Sequence, residues 1–285
     1  MDSLLADLLR LICLERLELN LFRGESRDIG SPQVFGGQVL GQALMAATGT
    51  VTDRVVHSLH AYFLRRGDFN APIVYEVDRS RDGRSFSSRR VVAIQHGQQI
   101  FHMSASFQAD ELGPDHQAAA PQVTPPEELT DLATEVRRYL PDMAAERRRF
   151  WSLERPFEFR SVEPLASGEP RPGVRHLWFR LTDRCPDDQT LHRCLLAYMS
   201  DYHLLETATL PHGLSYRAGE VTLASIDHGM WFHRPVDIND WLLYALESPS
   251  SSGSRGFATG SIFDRQGRLV ASTVQEGLMR VRGAE

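Results

Sequence analysis

Residues 55 to 107 and 223 to 277 write one pattern twice. The first copy reads "VVHSLHAYFLRRGDFNAPIVYEV", then "DGRSFSSRRVVAIQHGQQIFHMSASF". The second reads "LASIDHGMWFHRPVDINDWLLYALES", then "SRGFATGSIFDRQGRLVASTVQEG". An offset of 168 to 170 sets His60 on His228, Arg66 on Arg234, Tyr75 on Tyr244 and Gly97 on Gly267. Self-similarity on this scale predicts two structurally alike halves. Each copy predicts strand, turn, strand and a long hairpin. "QHGQQ" and "DRQGR" are the hairpin turns, each with a glycine able to take positive φ.

A helical stretch precedes each copy: "GGQVLGQALMAAT" in the first half, "TLHRCLLAYMSDYHLL" in the second. The expected class is α+β: in each half a helix lies against a curled antiparallel sheet and closes a core of its own. "ADELGPDHQAAAPQVTPPEEL" is rich in Ala, Pro and acids and reads as a linker. One or two helices over "LTDLATEVRRYLPDMAAERRRFW" should lie across the junction. The expected division is residues 1–109, a linker with a helical segment over 110–150, and residues 151–285.

The net charge of −6 argues against a general nucleic-acid binder. All 31 basic residues are Arg. The three cysteines, Cys13, Cys185 and Cys194, are widely spaced and form no CxxC, which fits a reducing cytoplasm rather than a disulfide framework. "MDSLLADLLRLICLERL" is apolar in stripes but interrupted by charge, unlike a secretory signal. No run of 18 apolar residues offers a membrane span.

"ASIDHGMWFHRP", residues 224 to 235, concentrates reactive groups. Side chains alternate along a strand. His228 and His233 are five apart and Asp227 and His228 are adjacent, so each pair diverges; His57 and His60 differ in parity too. A metal site is therefore not expected, and His228, His233 and Asp227 are assigned to the fold or the domain junction. No G-x-S-x-G elbow presents a serine nucleophile. Ser225 shares its predicted face with Val221, Leu223 and Trp231 and is either a satisfied core hydroxyl or aimed into a pocket.

Asp201 interrupts an apolar stripe formed with Ala197, Leu204 and Leu205. Two readings stand: a buried general base with a raised pKa, or a helix-edge carboxylate turned to solvent. Gln275, in a predicted strand, carries an amide able to donate and accept, or is an exposed strand residue. Arg65, Arg66, Arg84, Arg89 and Arg90 make the first repeat locally basic. They are solvated charges or contacts for an anionic, phosphate-bearing ligand, with Arg89 and Arg90 the candidates for substrate contact.

"VFGGQVLGQAL", "HSLHAYFLRRGD", "DGRSFSSRRVVAIQHGQQIF", "LLAYMSDYHLL", "SIDHGMWFHRP" and "STVQEGLMR", in that order, resemble the acyl-CoA thioesterase II family over about residues 4 to 281. The resemblance implies a double hotdog fold, in which each repeat wraps a curled antiparallel sheet around a long helix. It implies hydrolysis of acyl-CoA to a free fatty acid and CoA, with no cofactor, in a homodimer or homotetramer. The family's Asp, Thr or Ser, and Gln, which hold the attacking water, fall on Asp201, Ser225 and Gln275. Ser here replaces the usual Thr, keeping the hydroxyl but losing a methyl and rotamer stiffness. A family histidine falls on His57, at the repeat position of Ser225, with substrate positioning as its implied role. Backbone N–H groups at Gly36 and Gly37 are the expected oxyanion donors. The alternatives are a hydratase of the same fold, although no "GDxNPxH"-like segment is present, and a non-catalytic acyl-CoA binder.

Overall fold

The computed structural model describes residues 3–143, 145–165 and 168–283. In the first half, α1 (Leu4–Ile12), β1 (Glu15–Glu18) and β2 (Leu21–Gly24) lead into α2 (Gly36–Thr48). The strands β3 (Val55–Phe63), β4 (Ile73–Asp82), β5 (Phe86–Gln95) and β6 (Gln98–Gln108) follow. The connection carries α3 (Leu132–Arg137) and α4 (Ala145–Ser152). The second half contains β7 (Phe157–Ser161), β8 (Val174–Leu181), α5 (Gln189–Ser200), β9 (Val221–Ser225), β10 (Asp227–Phe232), β11 (Leu242–Ser252), β12 (Arg255–Asp264) and β13 (Leu269–Val281).

Both halves contribute to one 13-stranded antiparallel sheet, ordered β1-β2-β4-β5-β6-β3-β10-β13-β12-β11-β8-β7, with β9 beside β13. The repeats meet where β3 pairs with β10, His60 opposite Gly229. The predicted turns form: His96 and Gly97 both take positive φ between β5 and β6, and Gly267 does so before β13. This is the double hotdog arrangement, with two helices enclosed by one open, curled sheet.

α2 spans the predicted "GGQVLGQALMAAT". Its residues from Gly37 to Leu44 are all buried, as are those of α5 from Leu191 to Ser200. Helices buried on every side are core helices, and the polar side chains they carry must find partners there. The buried amide of Gln42 is satisfied by Leu11 O, Glu25 O and the Tyr75 hydroxyl. The two helices pack antiparallel and so closely that only glycine fits at the crossing. A Cβ on Gly37 would meet the Tyr198 carbonyl oxygen at 2.1 Å, and one on Gly41 the Cys194 oxygen at 3.0 Å. Because the helices touch directly, one apolar cluster runs from Leu5 through Leu40, Leu196 and Tyr244 to Ala271. The expected separate core in each half is thus replaced by a shared one.

Two local features depart from expectation. α5 ends at Ser200, with Asp201 as its C-cap, instead of running on through "DYHLL". His203 at φ 65° turns the chain out of the helix, and a 3-10 segment, Leu205–His212, follows. The second departure lies between β9 and β10. Ser225 faces Gly277 and Gly229 faces Val274, so four steps on one strand match three on the other. This is a one-residue bulge at Ile226, and it reverses the alternation beyond it.

Candidate active site

Asp201 caps the C-terminus of α5, where that helix passes the N-terminus of α2. Its Oδ2 accepts the Gly37 N–H at 2.9 Å. The first-turn N–H groups of a helix lack internal partners, and the dipole there favours an anion. Its Oδ1 accepts from Gln275 Nε2 at 2.7 Å and from Ser225 Oγ at 3.4 Å. Gln275 Nε2 also lies 3.0 Å from Ser225 Oγ. Three residues separated by up to 74 positions thus converge on one carboxylate: Asp201 from α5, Ser225 from the end of β9 and Gln275 from β13.

The three side chains line a cavity of about 650 Å³. Burial raises the Asp201 pKa, and the bonds from Gln275, Gly37 and Ser225 pull against it. Gly36 also touches this carboxylate, since a Cβ there would lie 2.7 Å from Asp201 Oδ2. A second space of about 360 Å³ shares Gly36, Arg66 and Ser225 with the first and is walled by Val39, Phe63 and Phe101. The larger cavity carries more charge, with Arg66, Arg147, Arg149 and Arg282 among its lining, while Arg65 and Arg66 line the second.

The other expected contacts are placed differently. Gly37 gives its N–H to Asp201, so that amide is engaged. Arg89 is buried and its donors are spent on Thr50, Arg81 and Asp82. Arg90 is exposed on β5 beside His102 and, like Arg89, lies outside both cavities. The proposed contact of Arg89 and Arg90 with substrate is corrected accordingly: one arginine braces the sheet, and the other faces away. From the same basic cluster, Arg65 lines the second cavity and Arg66 lines both. Its repeat mate Arg234 is occupied by Leu269 O and by Asp115 of the linker. His57 bonds Ser106 Oγ at 2.8 Å and stands edge-on to Phe86, outside both cavities. It marks the repeat-related end of the fold, where α2 closes on Gly49 as α5 closes on Asp201.

Sequence reasoning missed three residues. His228 is buried and stands 3.4 Å from Gln275 Nε2. The Ile226 bulge brings it to the side that Ser225 faces, which simple alternation denied. His203 and Glu206 do line the cavity, paired at 3.1 Å. Burial alone would raise Glu206, but Arg175 and His203 overturn that and hold it far below the usual carboxylate range. Among the described residues no group of three or more His, Cys, Asp or Glu side chains could hold a metal ion, and no helix is long and apolar enough to cross a membrane.

The family model described as acyl-CoA thioesterase matches residues 149–278, and that of the acyl-CoA thioesterase N-terminal domain matches residues 23–108. The chain is 44% identical to acyl-CoA thioesterase 2 of Haemophilus influenzae, over 98% of this chain and 99% of the relative. It belongs to the acyl-CoA thioesterase II family. The crystal structure of an acyl-CoA thioesterase II, TesB2, from Mycobacterium marinum superposes with a TM-score of 0.80 at 40% identity, covering 98% of this chain and 99% of that one. A hot dog fold protein of unknown function from Alicyclobacillus acidocaldarius shares the fold at a TM-score of 0.77 and 19% identity, covering 95% and 97%. As a member of the acyl-CoA thioesterase II family, the chain is a thioester hydrolase, and the cavity at Asp201 is the candidate seat of its chemistry.

Proposed function

We propose that Asp201, Ser225 and Gln275 hold and activate the water that hydrolyses an acyl-CoA thioester. The observation carrying this reading is the Asp201 carboxylate, fixed by three donors from separate elements and open to the large cavity. A water bonded to Ser225 Oγ and Asp201 attacks the thioester carbonyl while Asp201 takes its proton. The raised pKa brings the carboxylate nearer the range in which a general base works. The Gly36 N–H, in the first turn of α2, is the remaining oxyanion donor of the glycine pair. Collapse of the tetrahedral intermediate breaks the C–S bond and releases the thiolate, which takes up a proton, and the free acid. Ser225 Oγ lies 3.4 Å from Asp201 Oδ1, and Asp201 is the base assigned to the water; with no second base to make the serine a nucleophile, no acyl-enzyme is expected.

The cavity shapes orient the substrate. The second space receives the acyl chain along the wall of Val39, Phe63 and Phe101, with Arg65 and Arg66 also in its lining. The arginine-bearing side receives CoA, with Arg66 at its edge as a phosphate contact. Arg66→Ala is expected to raise KM about tenfold with kcat within about twofold. That is the worth of one hydrogen bond to a charged group, ~1.5 kcal/mol. A raised kcat effect with unchanged KM would refute the placement.

A free-thiol assay across acyl-CoAs of increasing chain length tests the reaction itself. Steady release without a pre-steady-state burst is expected. A burst equal to the enzyme concentration would point to a covalent acyl-enzyme and away from direct attack by water.

A further inference from the structure

We propose that His228 is a positioning residue, whose Nδ1, bared by the bond its Nε2 makes to Ser200, dictates which way the Gln275 amide faces. The proposal rests on the role of Gln275 put forward above.

The direction of each hydrogen bond follows from one carbonyl. Ser200 Oγ lies 2.9 Å from Ala197 O, which can only accept, so the serine proton is committed there. Ser200 Oγ also lies 3.0 Å from His228 Nε2. With its own proton spent, the hydroxyl must accept, so Nε2 carries the imidazole hydrogen. Burial drives the His228 pKa down to about 3, so the ring is neutral and Nδ1 has only a lone pair to offer. That lone pair faces Gln275 Nε2 at 3.4 Å. The amide nitrogen also meets Asp201 Oδ1 at 2.7 Å and Ser225 Oγ at 3.0 Å. Turned over, the amide would set its oxygen against a carboxylate oxygen and a bare imidazole nitrogen, acceptor against acceptor. In the observed orientation Gln275 Oε1 is buried without a protein partner.

Asp201 alone enforces this orientation only while it is ionised. Once it has taken the proton from water, its Oδ1 can donate, and its preference for the amide nitrogen disappears. The Nδ1 lone pair of His228 does not change at that step. It keeps Gln275 from turning between one proton transfer and the next. Ser200 is itself the last residue of α5, where the Tyr244 hydroxyl donates to its carbonyl at 2.9 Å. The lock therefore hangs from the same helix that presents Asp201.

Asn and Leu have nearly the same shape, but only Asn can place an acceptor where Nδ1 stands. His228→Leu is expected to lower kcat about 10- to 100-fold, the scale for losing a group that orients a functional side chain. KM should stay within about twofold, and His228→Asn should keep several-fold more kcat than His228→Leu. In a Gln275→Ala background the two substitutions should cost less than about twofold, because nothing is left to orient. Equal losses for Asn and Leu, or a Leu loss undiminished in Gln275→Ala, would overturn the proposal. Wild-type turnover by Gln275→Ala alone would overturn the role of Gln275 and this one with it. Should His228→Leu fail to fold, Ser200→Ala frees the tautomer from the other end. A few-fold loss of kcat that vanishes in Gln275→Ala is then expected, and a loss of the same size in both backgrounds counts against the lock.

Discussion

Asp201→Asn is expected to lower kcat at least ~100-fold, the usual scale for losing a general base, with the fold intact. An amide cannot take the proton from water, yet it fills the same space. Near wild-type turnover would sink the assignment. In the wild type, kcat/KM should fall as pH drops through the Asp201 pKa, which burial sets above the ordinary carboxylate value of 3.8. The stability signature has a definite sign. Between 3.8 and the folded-state value the native protein holds more protons than the unfolded chain, so stability declines as pH rises through that window. The buried carboxylate thus costs stability once ionised. Asp201→Asn lacks that slope, so its melting temperature should improve relative to wild type as pH rises through the window. Thermal melts of both proteins across pH check this, and parallel curves would contradict a raised pKa.

Gly37→Ala is expected to be the most disruptive single-methyl change in the chain. Its Cβ would stand 2.1 Å from Tyr198 O and 2.5 Å from the Phe35 ring. The carbonyl is backbone and cannot rotate away, so α2 and α5 must separate. Overpacking of this kind costs typically ~1–3 kcal/mol and, where backbone opposes backbone, the upper end or beyond. For a chain of this size that is a fall in Tm of roughly 5–10 °C. Because the Gly37 N–H is also a donor to Asp201, kcat should fall along with stability. Gly41→Ala, with its nearest contact at 3.0 Å, should cost clearly less. Melting curves and turnover for the two variants check the order. A reversed order would mean that the helix crossing is not set by these contacts.

The repeat made the architecture legible before any coordinates. Two copies of the same strand pattern, each with a helix before it, predict two like halves, and glycine marks the hairpin at Gly97. Asp201 was readable as a carboxylate among apolar neighbours, because Ala197, Leu204 and Leu205 are all buried. Its partners were named only through the family resemblance, since no local pattern ties Ser225 to a glutamine 50 positions away. His228 was dismissed for a physical reason. Alternation holds only within an unbroken strand, and the extra residue at Ile226 has neither Gly nor Pro to announce it. The end of α5 was missed likewise: His203 takes a left-handed conformation that any L residue resists, so "DYHLL" reads as more helix. Arg89 was misjudged because a basic cluster does not reveal which of its members is turned inward toward Thr50 and Asp82.

The glycine at the end of α2 has a consequence for counting. With Gly49 standing where Asp201 stands in the other repeat, and His57 where Ser225 stands, the two ends of the helix pair carry different groups, and of the two helix caps only that of α5 is a carboxylate. Titration with a non-hydrolysable acyl-CoA analogue should therefore register one equivalent per polypeptide, not one per repeat. In the first repeat, Arg89 and Thr50 brace the sheet instead. The first repeat still shares in the site through Gly36, Gly37 and Arg66, but it carries no carboxylate at its own helix cap.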